Sequence, residues 1–154
     1  MSRAFVKEDD SGGIEPLPDR AISPHPNVVT PEGLADIDAH LAELQHRHGT
    51  ALKTEDRAAL GVIARDMRYW SARRASAQVV KAPEAPSEVA FGTTVTIERG
   101  DGRRQTWRIV GEDEAEPAQG RLSYVSPVAQ ALKGKRVGDV VRAGNSDAEI
   151  VAIS

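Results

Sequence analysis

The sequence predicts an α+β protein, in which an antiparallel α-helical hairpin is followed by a small, mainly antiparallel sheet domain with one short helix. Two observations support this prediction. Between residues 30 and 80, apolar residues recur at steps of three and four, which is the spacing of amphipathic helices. From residue 89 onward, short apolar runs alternate with glycine-containing turns, which is typical of strands.

The composition limits the classes of function. The chain has 154 residues, a formal net charge of −3 and no cysteine, which excludes disulfides and thiolate metal sites. Because the charge is close to zero, we expect a protein partner and no direct sequence-specific contact with nucleic acid. The sequence has neither a secretory signal nor an apolar run of membrane-spanning length. We therefore expect a soluble, cytoplasmic monomer without a membrane partner.

Residues 1–29 are predicted to be an extended or disordered leader, because prolines recur too closely for a helix or a sheet. Two interpretations are open. The leader is either a solvated segment or a docking arm. The second interpretation rests on its apolar residues, which are Phe5, Val6, Ile14 and Leu17.

The first helix of the hairpin, which spans residues 30–80, is predicted to begin at Thr30. This residue is a good N-cap, and Pro31 suits the first helical position. Gly49 is predicted to end the helix. The apolar seam comprises Leu34, Ile37, Leu41, Leu44 and His48.

The second helix is predicted to be capped by Thr54, with Glu55 and Asp56 in its first turn. Its arginines complement the acidic residues of the first helix, so charged pairs should form between the two. The seam of this helix comprises Leu60, Ile63, Met67, Trp70 and Arg74.

Residues 81–88 have the proline-rich composition of a linker, and residues 89–154 are predicted to form the sheet domain. The glycines at 100 and 102 mark a hairpin turn, and residues 111–120 form an acidic loop. The predicted strands cover residues 93–98, 105–110, 122–125, 140–142 and 149–153.

A short helix is predicted to begin at Ser126 and Pro127, where serine can cap the first turn and proline presets its φ angle. Gly134 is the expected left-handed stop. The predicted buried face comprises Val128, Ala131 and Leu132.

Three segments, at residues 91–97, 108–115 and 125–141, resemble the C-terminal domain of the bacterial Gre transcript-cleavage factors in the same order. The sequence Thr30-Pro31-Glu32-Gly33 matches the Thr-x-x-Gly element that opens the hairpin of that family. The resemblance implies an FKBP-like fold for residues 89–154. It also implies that this domain docks on RNA polymerase beside its secondary channel, on a coiled coil of the largest subunit.

The resemblance places the polymerase contact in the loop before the short helix, at Tyr124, Val125, Ser126 and Pro127. The family usually has Asp or Asn where this sequence has Val125. An exposed Tyr124–Val125 pair would instead supply apolar contact area. The alternative is that Ser126 and Pro127 serve only as the helix cap.

The acidic residues Glu112, Asp113 and Glu114 allow two interpretations. They form either a solvated loop or a surface that attracts basic residues of the polymerase.

The hairpin departs from the cleavage-stimulating members of the family. Those members hold a second Mg²⁺ of the polymerase with paired carboxylates in a tip motif that this sequence lacks. Its candidate tip residues are Thr50, Glu55 and Asp56. The hairpin is also shorter by roughly eighteen residues, which shortens its reach by ~13 Å. In this respect the chain resembles the regulator of nucleoside diphosphate kinase branch.

The resemblance therefore implies a polymerase regulator that is not itself an enzyme, has no cofactor of its own and acts, if at all, near the polymerase Mg²⁺. We expect it to bind without full stimulation of transcript cleavage. One alternative is a cleavage-stimulating factor that uses Glu55 and Asp56. A remote alternative is a peptidyl-prolyl isomerase of the FKBP type. Such isomerases line their pocket with aromatic residues, and this domain offers only Phe91, Trp107 and Tyr124, one of which is expected in the core. No histidine pair has metal-ligand spacing, so no metal site is expected.

Overall fold

The computed structural model describes residues 16–154. An antiparallel helical hairpin is followed by a five-stranded mixed sheet with one short helix, so the predicted α+β architecture is confirmed. The helices are α1 (Pro31–Lys53), α2 (Arg57–Ser76) and α3 (Pro127–Leu132). The strands are β1 (Val28–Val29), β2 (Gln78–Val79), β3 (Thr94–Arg99), β4 (Arg104–Val110), β5 (Arg121–Ser123), β6 (Val140–Ala143) and β7 (Ser146–Ile153). Two 3₁₀ helices, Glu112–Glu114 and Pro117–Gln119, lie between β4 and β5.

Helix α1 begins where the sequence predicted and ends later. The Thr30 side chain caps it by accepting the Gly33 N–H at 3.0 Å. The predicted stop at Gly49 is wrong, because the helix continues for four more residues to Lys53. A helical glycine costs only about 1 kcal/mol relative to alanine. The additional turn buries Ala51 in the hairpin core, which offsets that cost.

Helix α2 begins two residues after the predicted start. Thr54 ends α1, and Asp56 is the N-cap of α2, with its carboxylate accepting the Ala59 N–H at 3.0 Å. Arg74 was predicted in the seam but is exposed, and it pairs with Asp38 at 2.7 Å. The buried hairpin core comprises Leu44, Ala51 and Ile63, with Leu60, Met67 and Trp70 packed against it.

The five strands lie in the order β5-β4-β3-β7-β6. All neighbouring pairs are antiparallel except β4 and β5, which are parallel. The inward face carries the sheet-domain core, with Val95, Ile97 and Ile150 fully buried. The predicted turn at residues 100–102 and the last hairpin are both confirmed.

Helix α3 closes one side of this core. As predicted, Ser126 caps it and Pro127 occupies its first turn. Gly134 follows with φ +77°, which is the left-handed conformation that glycine favours. The most buried residues of the helix are Ala129 and Leu132.

Strands β1 and β2 form a two-stranded parallel sheet at the base of the hairpin. β1 comes from the end of the predicted leader and β2 follows α2. The last two residues of the predicted leader, Val28 and Val29, therefore form a strand. The predicted boundaries of the linker, residues 81–88, stay predictions.

Candidate docking site and hairpin tip

The loop between β5 and α3 is the segment that the resemblance assigned to partner contact. Ser126 Oγ accepts the Ala129 N–H at 3.3 Å, so this hydroxyl serves as the helix cap. Pro127 is exposed, whereas Tyr124 and Val125 are half-buried. The Tyr124–Val125 pair is therefore less exposed than expected, and Pro127 presents the more open surface of this loop. Contact of these residues with a polymerase stays a prediction.

Tyr124 connects the sheet domain to the chain before α1. Its ring meets Phe91 edge-on, with 5.7 Å between the ring centroids. Its hydroxyl donates a hydrogen bond to the Pro26 carbonyl. Burial raises the pKa of the Tyr124 phenol, and the negative charge of Glu112 raises it further. These contacts hold the ring in place at the start of the docking loop.

The acidic segment after β4 is not a solvated loop. Glu112, Asp113 and Glu114 form a short 3₁₀ helix, and all three residues are half-buried. Each carboxylate already accepts a hydrogen bond from another part of the chain. Contact with basic residues of a partner stays a prediction, and such contact would compete with these internal bonds.

Asp113 faces a buried arginine of α2. The Arg73 side chain is only 2% exposed, and its Nε donates to Asp113 Oδ2 at 2.5 Å. The Tyr69 hydroxyl donates to the other carboxylate oxygen. Glu112 lies 4.0 Å from the guanidinium and accepts a hydrogen bond from Ser23 at 2.9 Å. We refer to Arg73, Tyr69, Asp113 and Glu112 as the latch, because they join the hairpin to the sheet domain.

The latch also raises the pKa of its own tyrosine. Burial disfavours the Tyr69 phenolate, and the neighbouring Asp113 adds to this effect, so the pKa of Tyr69 is raised to about 12. The sequence predicted that Arg73, like the other arginines of α2, would complement the acidic residues of α1. Its carboxylate partner, Asp113, lies forty residues further along the chain. Helical spacing does not predict contacts at that separation. The available signal was its position three residues after the seam residue Trp70.

Glu114 makes a second connection, at the N-terminus of α1. Its carboxylate accepts hydrogen bonds from the Thr30 hydroxyl and from the Thr30 N–H, the latter at 3.1 Å. It also accepts the Gly111 N–H at 3.1 Å. A Cβ on Gly33 would lie 2.2 Å from the carboxyl carbon of Glu114. The Thr-x-x-Gly element therefore has a physical reason here: threonine binds the carboxylate, and glycine leaves room for it.

Residues 16–27 lie beside α2 and contact both the helical hairpin and the sheet domain. Asp19 accepts a hydrogen bond from Arg68 Nε at 2.5 Å. The Asn27 side chain donates to the Arg73 carbonyl at 2.7 Å and so caps the C-terminal end of α2. Most residues of this part are nevertheless exposed, so the choice between a solvated leader and a docking arm stays open. Of the apolar residues behind the docking-arm interpretation, Leu17 is half-buried, and Phe5, Val6 and Ile14 lie outside the described residues.

The hairpin tip is the turn between α1 and α2. Glu55 is exposed and has a φ angle of +52°, which few residues other than glycine adopt. The Asp56 carboxylate caps α2, and the Thr50 hydroxyl donates to the His46 carbonyl at 3.4 Å. The two tip carboxylates therefore differ, because one oxygen of Asp56 is already bonded and the Glu55 side chain has no partner in the described chain.

Among residues 16–154, no three side chains of the His, Cys, Asp or Glu type are grouped closely enough to hold a metal ion. In the same part of the chain, no helix combines the length and the apolar character needed to cross a membrane.

Several known proteins are similar to this chain in sequence. Residues 83–154 match the C-terminal domain of the transcription elongation factors GreA and GreB. The transcription elongation factor GreA of Chloroflexus aggregans is 34% identical over 136 residues, which cover 75% of this chain and 87% of that protein. GreB of Neisseria meningitidis is 41% identical over 97 residues, which cover 59% of this chain and 60% of that protein. The chain thus matches only about three fifths of the length of this GreB.

Two solved structures show more distant similarity. GreA factor homolog 1 of Thermus thermophilus has a TM-score of 0.42 and 19% identity, with 84% of this chain and 99% of that chain covered. A GreA/GreB factor from Nitrosomonas europaea has a TM-score of 0.42 and 17% identity, with 82% and 98% covered. On the strength of the sequence match to GreA over most of both proteins, the chain belongs to the GreA/GreB family of transcription elongation factors.

Proposed function

We propose that this chain regulates transcription elongation by docking on RNA polymerase beside its secondary channel, as a monomer and not as an enzyme in its own right. The sheet domain, residues 89–154, holds the molecule on the coiled coil of the largest subunit. The loop Tyr124–Pro127 makes the contact, and the hairpin points into the channel mouth.

The proposal rests on the internal contacts that hold the docking loop in place, in a chain that belongs to this family. Tyr124 is held by Phe91 and by the Pro26 carbonyl, and Ser126 is held by the helix cap. Pro127 is therefore presented to solvent on a rigid support. A preorganised loop loses little conformational freedom on binding, which favours affinity.

The test is a titration of core RNA polymerase with the full chain carrying a fluorescent label. We expect Pro127→Glu to weaken binding at least about tenfold, because it places a charge at the centre of the contact. An acidic residue at the first helical position suits the helix dipole, so α3 should persist. Asn145→Asp, which adds the same charge at an exposed turn of the β6–β7 hairpin, is the control. Equal binding by both variants would remove the docking loop from the interface.

We further propose that the factor binds without supplying the carboxylate pair that stimulates transcript cleavage. A second Mg²⁺ needs several hard oxygen ligands held together. In this tip Asp56 caps α2, which leaves Glu55 as the carboxylate without a partner in the described chain.

A backtracked elongation complex tests this part of the proposal. Incubation with the protein and Mg²⁺ should leave the RNA at its original length, whereas a cleavage-stimulating Gre factor in a parallel reaction shortens it. RNA shortening that disappears in Glu55→Ala, and persists in Glu43→Ala on the exposed side of α1, would show that the tip does take part in cleavage.

A further inference from the structure

A cavity of about 170 Å³ lies between α3 and the sheet, beside the docking loop. A cavity of about 150 Å³ is large enough for benzene, so this one has room for a single leucine or phenylalanine side chain. Its walls are largely apolar. They comprise Val89, Ala90, Phe91, Ile109, Tyr124, Ala129, Gln130 and Lys133.

The backbone around the cavity is already hydrogen-bonded. The Val89 N–H donates to the Lys135 carbonyl, and the Val89 carbonyl accepts the Gly134 N–H, both at 2.8 Å. The Thr93 hydroxyl is bonded to both the N–H and the carbonyl of Ala90. An apolar side chain could therefore enter without leaving these polar groups unpaired, which would otherwise oppose binding.

One charged residue, the exposed Lys133, lines the cavity. Lys135 and Arg136, also exposed, follow it along the chain. Within residues 16–154, the side chains of Lys133 and Lys135 form no ion pair. A carboxylate next to the entering side chain would complement this charge.

We propose that this cavity is the socket for one leucine- or phenylalanine-sized side chain from an acidic segment of the polymerase. The inference rests on the proposed docking and names the anchor that the docking surface receives. Tyr124 belongs both to the docking loop and to the socket wall, so the two sites are continuous. Pro127 then contacts the partner beside the socket, and Lys133 pairs with the acidic flank.

Two variants of the full chain test the socket by titration against core RNA polymerase. Ala90→Leu fills the cavity from its wall, and Lys133→Glu reverses the charge of its rim without altering buried residues. We expect Ala90→Leu to weaken binding about ten- to a hundredfold, which corresponds to one buried apolar side chain. Lys133→Glu should weaken binding several-fold and reduce its salt dependence. Lys81→Glu, an exposed charge reversal in the predicted linker, is the control and should bind as the unmodified chain does.

The outcomes separate the socket from the docking proposal. If the unmodified chain fails to bind, the docking proposal is wrong and the socket fails with it. If it binds and both socket variants match Lys81→Glu, the socket is wrong while docking stands. A loss confined to Lys133→Glu also overturns the socket, because charge alone would then hold the partner. Isomerisation of a prolyl test peptide, abolished by Ala90→Leu, would assign the cavity to a peptide substrate and overturn the proposal. Thermal unfolding of Ala90→Leu checks its folding. If that variant does not fold, Gln130→Trp, at an exposed lining residue of α3, replaces it as the cavity-filling variant, with the same expected loss of binding.

Discussion

The latch between α2 and the sheet domain predicts an unusually large effect for one substitution. Asp113→Ala removes the carboxylate that pairs with Arg73 at 2.5 Å, and the Arg73 side chain is only 2% exposed. Loss of one partner of a buried ion pair costs about 3–5 kcal/mol, because the remaining charge is buried without compensation. Glu112 remains 4.0 Å away, so we expect the lower end, about 3 kcal/mol. At about 2–4 °C per kcal/mol, the melting temperature should fall by about 6–12 °C.

The neighbouring residue of α2 provides a matched control. Arg74 pairs with Asp38 at 2.7 Å, but these side chains are 47% and 53% exposed. Asp38→Ala should therefore cost less than about 1 kcal/mol. Both variants are compared by calorimetry and by urea unfolding followed by circular dichroism at 222 nm.

A third variant checks the physical cause. If the cost of Asp113→Ala comes from an uncompensated buried charge, Arg73→Met combined with Asp113→Ala should recover much of the lost stability. Equal destabilisation by Asp113→Ala and Asp38→Ala would refute the reasoning. So would a double variant that is no more stable than Asp113→Ala alone.

Two other predictions follow from the same region. Gly33→Ala should destabilise the protein by about 1–3 kcal/mol, because its Cβ would displace the Glu114 carboxylate, whereas Gly49→Ala in open space on the same helix should stabilise it by about 0.5–1 kcal/mol. Urea unfolding measures both, and stabilisation by Gly33→Ala would contradict the close approach of Glu114. The raised pKa of Tyr69, about 12, lies above its ordinary value of 10.0, so its contribution to stability is complete below pH 10 and is lost as the pH rises toward 12. Melting temperatures measured across this range should fall less steeply for Tyr69→Phe than for the unmodified chain, and identical slopes would contradict the assignment.

Errors in the sequence reasoning occurred where local rules competed with packing. Gly49 is a common type of helix stop, but α1 continues and buries Ala51 against α2. Thr54 and Asp56 are both good N-caps, and the sequence offered no basis for choosing between them. The structure selects Asp56, because the later end of α1 makes Thr54 the C-cap of that helix.

For a similar reason, the helix cap in the docking loop was predicted correctly, whereas the burial of Tyr124 was not. The cap at Ser126 and Pro127 depends on neighbours within four residues and was confirmed. The burial of Tyr124 depends on Phe91 and Pro26, which lie far away in the sequence. The run of acidic residues at 112–114 appeared solvated because nothing in its local pattern indicates a buried arginine.

The amino-acid sequence by itself determined the helices, most of the strands and the N-caps of α1 and α3, because these depend on periodicity and on groups a few residues apart. Only the tertiary structure decided that Arg73 is buried, that Glu114 reaches the N-terminus of α1 and that residues 17–29 contact α2 and the sheet domain. The physical reason is that these groups meet through the folded chain, so their desolvation and charge pairing exist only after the hairpin and the sheet have come together.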